Sequence, residues 1–317
     1  MMRTLAGVEI RARDFGGLGG IDTLVPGLPS LMPMYRGLTK ALKHEGYQER
    51  RDLFGAPYDF RMAADGLEQT GYYADLKQLI EHAVEINSSR LATLVAHSQG
   101  ALVALYFMAK QPSEWVRTHV GSFIAISAPW AGAVSTLKGS ISGDNFDIPL
   151  VPHALLRPIQ ATAPSGPWLF PATDQWQDKA AVYPKVRSLV WPLPRLDIPV
   201  HCLYGTGTDT DEGYVYDVDC FSESVPPPPK AVSKGLGDGT VNLCSLKAGA
   251  GLGDNVRLKA FEGASHMGIL QDRRLIGEVA RLVTGGAAGR SRARTESSMT
   301  QRGLWGHLQQ LARAKAS

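Results

Sequence analysis

Apolar positions recur with two different periods along this chain. Leu31, Met34, Leu38, Ala41 and Leu42 are spaced by three and four residues, which predicts a helix over 30–46. Leu76, Leu79, Ile80, Ala83 and Val84 repeat the pattern and predict a helix over 72–86. Between such stretches lie short, continuous apolar runs at 91–96, 120–126, 198–204 and 256–261, the length and composition of strands buried on both faces. Residues 52–58 are short and reach Pro57, which predicts a strand running into a loop. Residues 101–110 read as a helix stopped by Pro112, and 274–282 as a closing helix. Helices alternating with short strands predict a mostly parallel sheet with helices on both faces.

The alternation fails between Ser127 and Pro199, where Pro, Trp and Gly accumulate, and this stretch reads as an inserted cap. The expected organisation is therefore 1–126 as the N-terminal part of the core, 127–197 as the cap, 198–284 as the rest of the core, and 285–317 as a basic tail. The tail is rich in Gly, Ala, Ser and Arg and is expected to be disordered, although 303–314 could form a short basic amphipathic helix.

Composition narrows the class. At 317 residues the chain can bury about three quarters of its unfolded surface and needs no disulfide or metal to fold. With 44% hydrophobic and 20% charged residues, disorder, collagen and coiled coil are excluded for the bulk of it. The net charge is +3, but the tail holds six basic residues (Arg290, Arg292, Arg294, Arg302, Arg313, Lys315) against Glu296. The rest is close to neutral, which argues against nucleic-acid binding. Cys202, Cys220 and Cys244 lack metal-ligand spacing; they allow one bridge and a free thiol, or three thiols. No signal-peptide pattern is visible, and the longest apolar run, 91–109, is interrupted at His97-Ser98-Gln99-Gly100. No transmembrane segment is expected, and the compartment stays open.

That interruption carries the chemistry. Leu94-Val95-Ala96-His97-Ser98-Gln99-Gly100-Ala101-Leu102 is a strand, a tight turn and a helix, the nucleophile elbow of α/β hydrolases, with Ala96 where a glycine is usual. Small residues flank Ser98 because strand and helix nearly touch there. The turn lifts the serine hydroxyl above the sheet, and the amide of Gln99, at the helix N-terminus, can donate to an oxyanion. A serine needs a base, and in this fold the histidine comes last. His307 lies in the tail, so elimination selects His266, in Glu262-Gly263-Ala264-Ser265-His266. His97 reads as a packing residue inside the elbow. For the acid, Asp209 (with Asp211 nearby) and Asp238, in Gly237-Asp238-Gly239-Thr240, are equal candidates on pattern alone. The acidic run 209–219 lacks the spacing of a calcium loop and reads as a solvated loop. No metal or organic cofactor is implied, because a triad and oxyanion donors suffice for acyl transfer.

Several strings resemble the lecithin:cholesterol acyltransferase-like family, over about residues 7–282. They are Ala56-Pro57-Tyr58-Asp59-Phe60-Arg61, the elbow, Ala128-Pro129-Trp130-Ala131-Gly132, Ser142-Gly143-Asp144-Asn145, Cys202-Leu203-Tyr204-Gly205, Gly237-Asp238-Gly239-Thr240-Val241-Asn242 and Ser265-His266. The resemblance implies an α/β-hydrolase fold with Ser98 as nucleophile, Asp238 rather than Asp209 as acid, His266 as base and Trp130 near the acyl site. It implies transfer of an acyl group from a glycerophospholipid to a sterol, another lipid alcohol or water, with peripheral contact at a membrane or lipoprotein surface. It also gives Cys202 a disulfide-forming counterpart, with Cys244 as candidate partner. Gly7-Val8-Glu9-Ile10-Arg11 matches a point well inside the family's sequence, so its first strands, lid and Val-Pro-Gly oxyanion loop are expected to be missing. Leu24-Val25-Pro26-Gly27-Leu28 imitates that loop and makes Leu28 a topological candidate for the second oxyanion donor. Two other readings stand beside this one: a non-catalytic or weakened lipid-binding remnant, and a serine esterase or thioesterase acting on smaller substrates.

Overall fold

A computed structural model describes residues 12–24, 32–145, 152–171, 190–217 and 226–285. In chain order the helices are α1 (Arg36–His44), α2 (Ala64–Gln69), α3 (Tyr72–Ile86), α4 (Gln99–Lys110), α5 (Ser113–His119), α6 (Ser135–Ile141), α7 (His153–Thr162), α8 (Ser165–Trp168), α9 (Leu243–Lys247) and α10 (Arg273–Thr284). The strands are β1 (Ala92–His97), β2 (Val120–Ile126), β3 (Val200–Thr206), β4 (Thr208–Val215), β5 (Ala231–Gly237) and β6 (Val256–Glu262). Strands β1, β2, β3 and β6 form a sheet in that order, parallel at every pairing. Strands β4 and β5 form a separate antiparallel hairpin.

The apolar runs become strands because both sheet faces are covered. Along β2, Phe123 and Ala125 face a core shared with α3, α4, Val200 and Cys202. Ile124 and Ile126 face a second core with Leu38 and Leu42 of α1, Leu203, Phe261, and Leu275 and Val279 of α10. The unbroken apolar run from Phe123 to Ile126 is the expected result of two covered faces. Helix α4 is buried from Ala101 to Met108, so its sequence is apolar all round rather than along one stripe. Helix α3 keeps its stripe (Tyr73, Leu76, Ile80, Val84), and α10 opens on Asp272, whose carboxylate caps the Arg274 amide.

Three expectations fail locally. Residues 52–58 do not form a strand; Leu53 makes one isolated bridge, to Glu49. The carbonyl of Gly55 accepts from the Gly16 amide (2.8 Å) and that of Ala56 from the Tyr72 hydroxyl (3.1 Å), so this backbone is tied to the glycine-rich loop at 15–20. The first helix starts at Arg36, not near 30: Pro33 lacks a donor, and Met34 and Tyr35 donate to Asp22 and Ile21 instead. The acidic run is not a solvated loop throughout. It supplies β4, where Asp211 pairs with Lys234 across the hairpin and Thr210 is fully buried. The stretch 127–197 carries α6, α7 and α8 in its described part, and residues 286–317 lie outside the described residues.

Among the described residues, no strand pairs with the free edge of β1. A cleft of about 2120 Å³ runs along that edge, past α1 and α3, and reaches Ser98 and His266.

Candidate active site

The elbow is strained where the chemistry needs it. Ser98 has φ 53° and ψ −131°, a backbone region that non-glycine residues occupy only when the surroundings impose it. Two bonds do so: the Ser98 amide donates to the Ile126 carbonyl (2.8 Å), and the Ser98 carbonyl accepts from Ala101 (3.0 Å).

The Ser98 hydroxyl lies 2.9 Å from Nε2 of His266, and Nδ1 of His266 lies 2.8 Å from Oδ2 of Asp238. The other carboxylate oxygen accepts from the amides of Thr240 (3.1 Å) and Val241 (2.8 Å). Asp238 is fully buried, and burial alone would raise its pKa. The charge and hydrogen bond of His266 and the two amide bonds outweigh that, so its carboxyl sits below the ordinary 3.8.

Two glycines make room for this arrangement. A methyl at Gly205 would overlap the Ala264 carbonyl oxygen and lie 3.2 Å from Cβ of Asp238, so β3 can pass beneath the His266 loop only as glycine. A methyl at Gly237 would overlap the Val241 carbonyl and the Thr210 hydroxyl. That hydroxyl accepts from the Gly239 amide (2.9 Å) and closes the turn that carries Asp238. Gly100 differs. A methyl there would meet Tyr58 and Ala96 at 3.6 and 3.9 Å, ordinary contact, so strand and helix leave room for one methyl at this position.

The Gln99 amide is the first of α4 and has no intrahelical acceptor, which makes it a donor available to a developing anion. Its side chain donates to the Met62 carbonyl (3.0 Å), just past the turn closed by the Asp59–Arg61 ion pair. That turn displays Phe60, 60% exposed, at the cleft. His97 is buried, and burial, aided by the nearby His266, pushes its pKa down to about 3. It is therefore neutral, and its Nε2 donates to the His266 carbonyl oxygen at 2.8 Å.

The structure brings Ser98, Asp238 and His266 together, with Gln99 beside them. It does not bring Asp209 into this chain of hydrogen bonds: Asp209 is exposed on β4 opposite Leu236, at the rim of the cleft. Trp130, expected near the acyl site, is 3% exposed and packs edge-on against Phe123 in the core; it does not line the cleft. Its indole bonds the sulfur of Cys202, which is buried and unbridged, and Cys244 is also free. Leu28 and Cys220 lie outside the described residues. Thr210 and the His97 contact were missed in the sequence, because neither a threonine in an acidic run nor a histidine beside a nucleophile announces its partner.

Among the described residues, no group of three or more His, Cys, Asp and Glu could hold a metal ion. Nor is any described helix long and apolar enough to cross a membrane.

The parallel sheet, the strained serine between strand and helix, and the histidine after the last strand make this an α/β-hydrolase fold. The family model for lecithin:cholesterol acyltransferase matches residues 2–194, a span that holds the elbow and ends before Asp238 and His266. The chain belongs to that family. It is 31% identical over 314 residues to "Lecithin-cholesterol acyltransferase-like 1" of Arabidopsis thaliana, covering 88% of this chain and 71% of that one. It is 30% identical over 311 residues to "Lysosomal phospholipase A and acyltransferase" of Canis lupus familiaris, covering 88% and 74%. With "Phosphatidylcholine-sterol acyltransferase" of Gallus gallus it shares 32% over 269 residues, covering 76% of this chain and 63% of the relative.

Proposed function

We propose that this protein is a serine-dependent lipid acyltransferase or phospholipase that forms an acyl-enzyme from a glycerophospholipid. One observation carries the reading: Ser98, His266 and Asp238 are linked at 2.9 and 2.8 Å, in a chain of this family.

The geometry supports the following course. His266 Nε2 accepts the Ser98 proton as Oγ attacks the ester carbonyl, and the Asp238 carboxylate stabilises the imidazolium so formed. The Gln99 amide donates to the oxyanion at the N-terminus of α4. His266 returns the proton to the departing lysophospholipid oxygen, leaving the acyl group on Ser98. An alcohol or water then enters and gives its proton to His266 as its oxygen attacks the acyl carbon; the bond from that carbon to Ser98 breaks, and His266 passes the acceptor's proton to the Ser98 oxygen. The names of the relatives support a sterol or water as acceptor, and another lipid alcohol would follow the same course. The cleft supports a lipid chain: it is lined by Leu38, Leu76, Ile80, Leu94 and Ile159 as well as by Ser98. Helices α6, α7 and α8, within 127–197, would form the cap over it, with Phe60 exposed at the cleft toward a membrane or lipoprotein surface.

Phosphatidylcholine vesicles with and without a sterol test the reading, with free fatty acid and acylated alcohol both quantified. The wild-type protein is expected to turn over lipid, and Ser98→Ala to lose about 10⁴-fold or more. Absence of turnover in folded wild-type protein, or turnover unchanged in Ser98→Ala, would refute it.

A further inference from the structure

We infer that His97 is a positioning residue for His266: donating from Nε2 to the His266 carbonyl, it fixes the loop that carries the base. The inference rests on the Ser98–His266–Asp238 reading above. His266 stands on a loop between β6 and the turn at 268–271, with both neighbours, Ser265 and Met267, exposed. The loop is anchored in the core at Ala264 on one side and at Ile269 and Leu270 on the other, so the span between them, which carries His266, depends on its own hydrogen bonds. Its backbone is pinned on both sides of His266: the amide donates to the Asp238 carbonyl (2.7 Å), and the carbonyl accepts from His97 (2.8 Å). The ring is then aimed by Asp238 on one nitrogen and Ser98 on the other.

The origin of the bond from His97 matters. His97 is the last residue of β1 and directly precedes Ser98. One rigid strand end therefore supplies both the nucleophile and the peg for its base, so the distance between them is fixed by two bonds from adjacent residues. The strand end is itself held: the Ser98 amide is bonded to Ile126, and the hydroxyl of the half-buried Tyr35 is bonded to the His97 main chain. The charge state also suits the role. The two imidazole rings lie 4.8 Å apart, tilted by 44°, and Asp238 and Tyr35 are the other titratable groups facing His97. A cation at His97 would oppose the positive charge that His266 takes up, and burial keeps His97 neutral. Sequence position alone gives a packing histidine; the bond to His266 gives it a task in the reaction.

His97→Gln keeps a side-chain donor at about the reach of Nε2, and His97→Leu keeps bulk without a donor. Three readouts separate positioning from folding. The first is labelling of Ser98 by a fluorophosphonate probe, resolved into a saturation constant and a maximal rate. The second is the downfield proton resonance of the His266–Asp238 hydrogen bond, and the third is the thermal unfolding midpoint. His97→Leu is expected to lower the maximal rate about tenfold to a hundredfold, as small misplacements of reacting groups do. Its saturation constant should not change, its resonance should broaden or vanish, and unfolding should stay cooperative. His97→Gln is expected to restore most of the rate and the resonance. A Leu variant labelled at the wild-type rate would overturn the inference, as would a Gln variant as slow as Leu. If the wild-type protein is not labelled at all, the acyl-transfer reading fails, and the resonance alone then judges His97. Loss in Leu with retention in Gln supports the inference; an unchanged resonance in Leu overturns it.

Discussion

The two flanks of strand β1 are built in opposite ways. On one side β2 follows it in parallel register from Ala92 to His97, and β3 and β6 extend the sheet. On that side stand Asp238 and His266, each with its polar atoms bonded to named partners. On the other side no described strand pairs with β1, and a cleft of about 2120 Å³ runs along the edge. Both flanks meet at Ser98. Acyl transfer needs reacting groups held within a fraction of an ångström and room for a long substrate. In the proposed function these demands would divide between a densely bonded flank and an open one.

The largest effect should distinguish the two acidic candidates. Asp238→Asn keeps the shape of the site but removes the charge that orients His266, and activity is expected to fall about 10⁴-fold. Asp209→Asn, exposed on β4, should change kcat/KM by no more than about twofold, within the usual ±0.5 kcal/mol of a surface substitution. Steady-state kinetics of the pair checks this. Next is Trp130, which belongs to the packed flank. Trp130→Ala should lower unfolding free energy by about 3–5 kcal/mol in urea titrations. Trp130→Phe should leave KM unchanged; a raised KM would return this residue to the substrate side of the comparison.

The pH response comes third. His97 is buried with a pKa of about 3, against an ordinary 6.5, so the unfolded chain binds a proton that the folded one does not. Stability is therefore expected to fall as pH drops from about 6.5 toward 3, by at most about 1.4 kcal/mol per pH unit from this group. Asp238 acts in a different window. Its carboxyl is held below 3.8, so its contribution is complete above that value and is lost only as pH falls through the lower folded value. Unfolding midpoints of wild type and His97→Gln between pH 7 and 4 should therefore converge as the medium becomes more acidic. The smallest effects contrast two glycines. Gly205→Ala should cost about 1–3 kcal/mol and disturb the His266 loop. Gly100→Ala, with open contacts in α4, should be neutral or stabilise by up to about 1 kcal/mol.

Legibility followed apolar pattern rather than flank. Apolar runs marked β2 on the packed flank and α3 beside the open one to their exact ends, and the elbow announced itself because an apolar strand, a serine and an apolar helix adjoin without a spacer. The order of serine, acid and histidine narrowed the base to His266, but the acid was ambiguous on pattern. The deciding fact is a turn conformation: Asp238 is bonded to two amides within its own turn, whereas Asp209 lies on a hairpin strand. That hairpin was hidden because its strands are polar and exposed, so no apolar alternation betrays them. Trp130 was ambiguous for the opposite reason: its large apolar surface suits a lipid site and a core equally well, and only its burial points to the core.

The central claim is an acyl group carried on Ser98. Mass spectrometry of the protein after brief incubation with a phospholipid of defined chains addresses it directly. The account predicts one acyl mass added to the peptide containing Ser98, absent in Ser98→Ala and formed far more slowly in His266→Ala. A folded, wild-type protein that carries no acyl mass on that peptide, or carries it equally in Ser98→Ala on another residue, would contradict it.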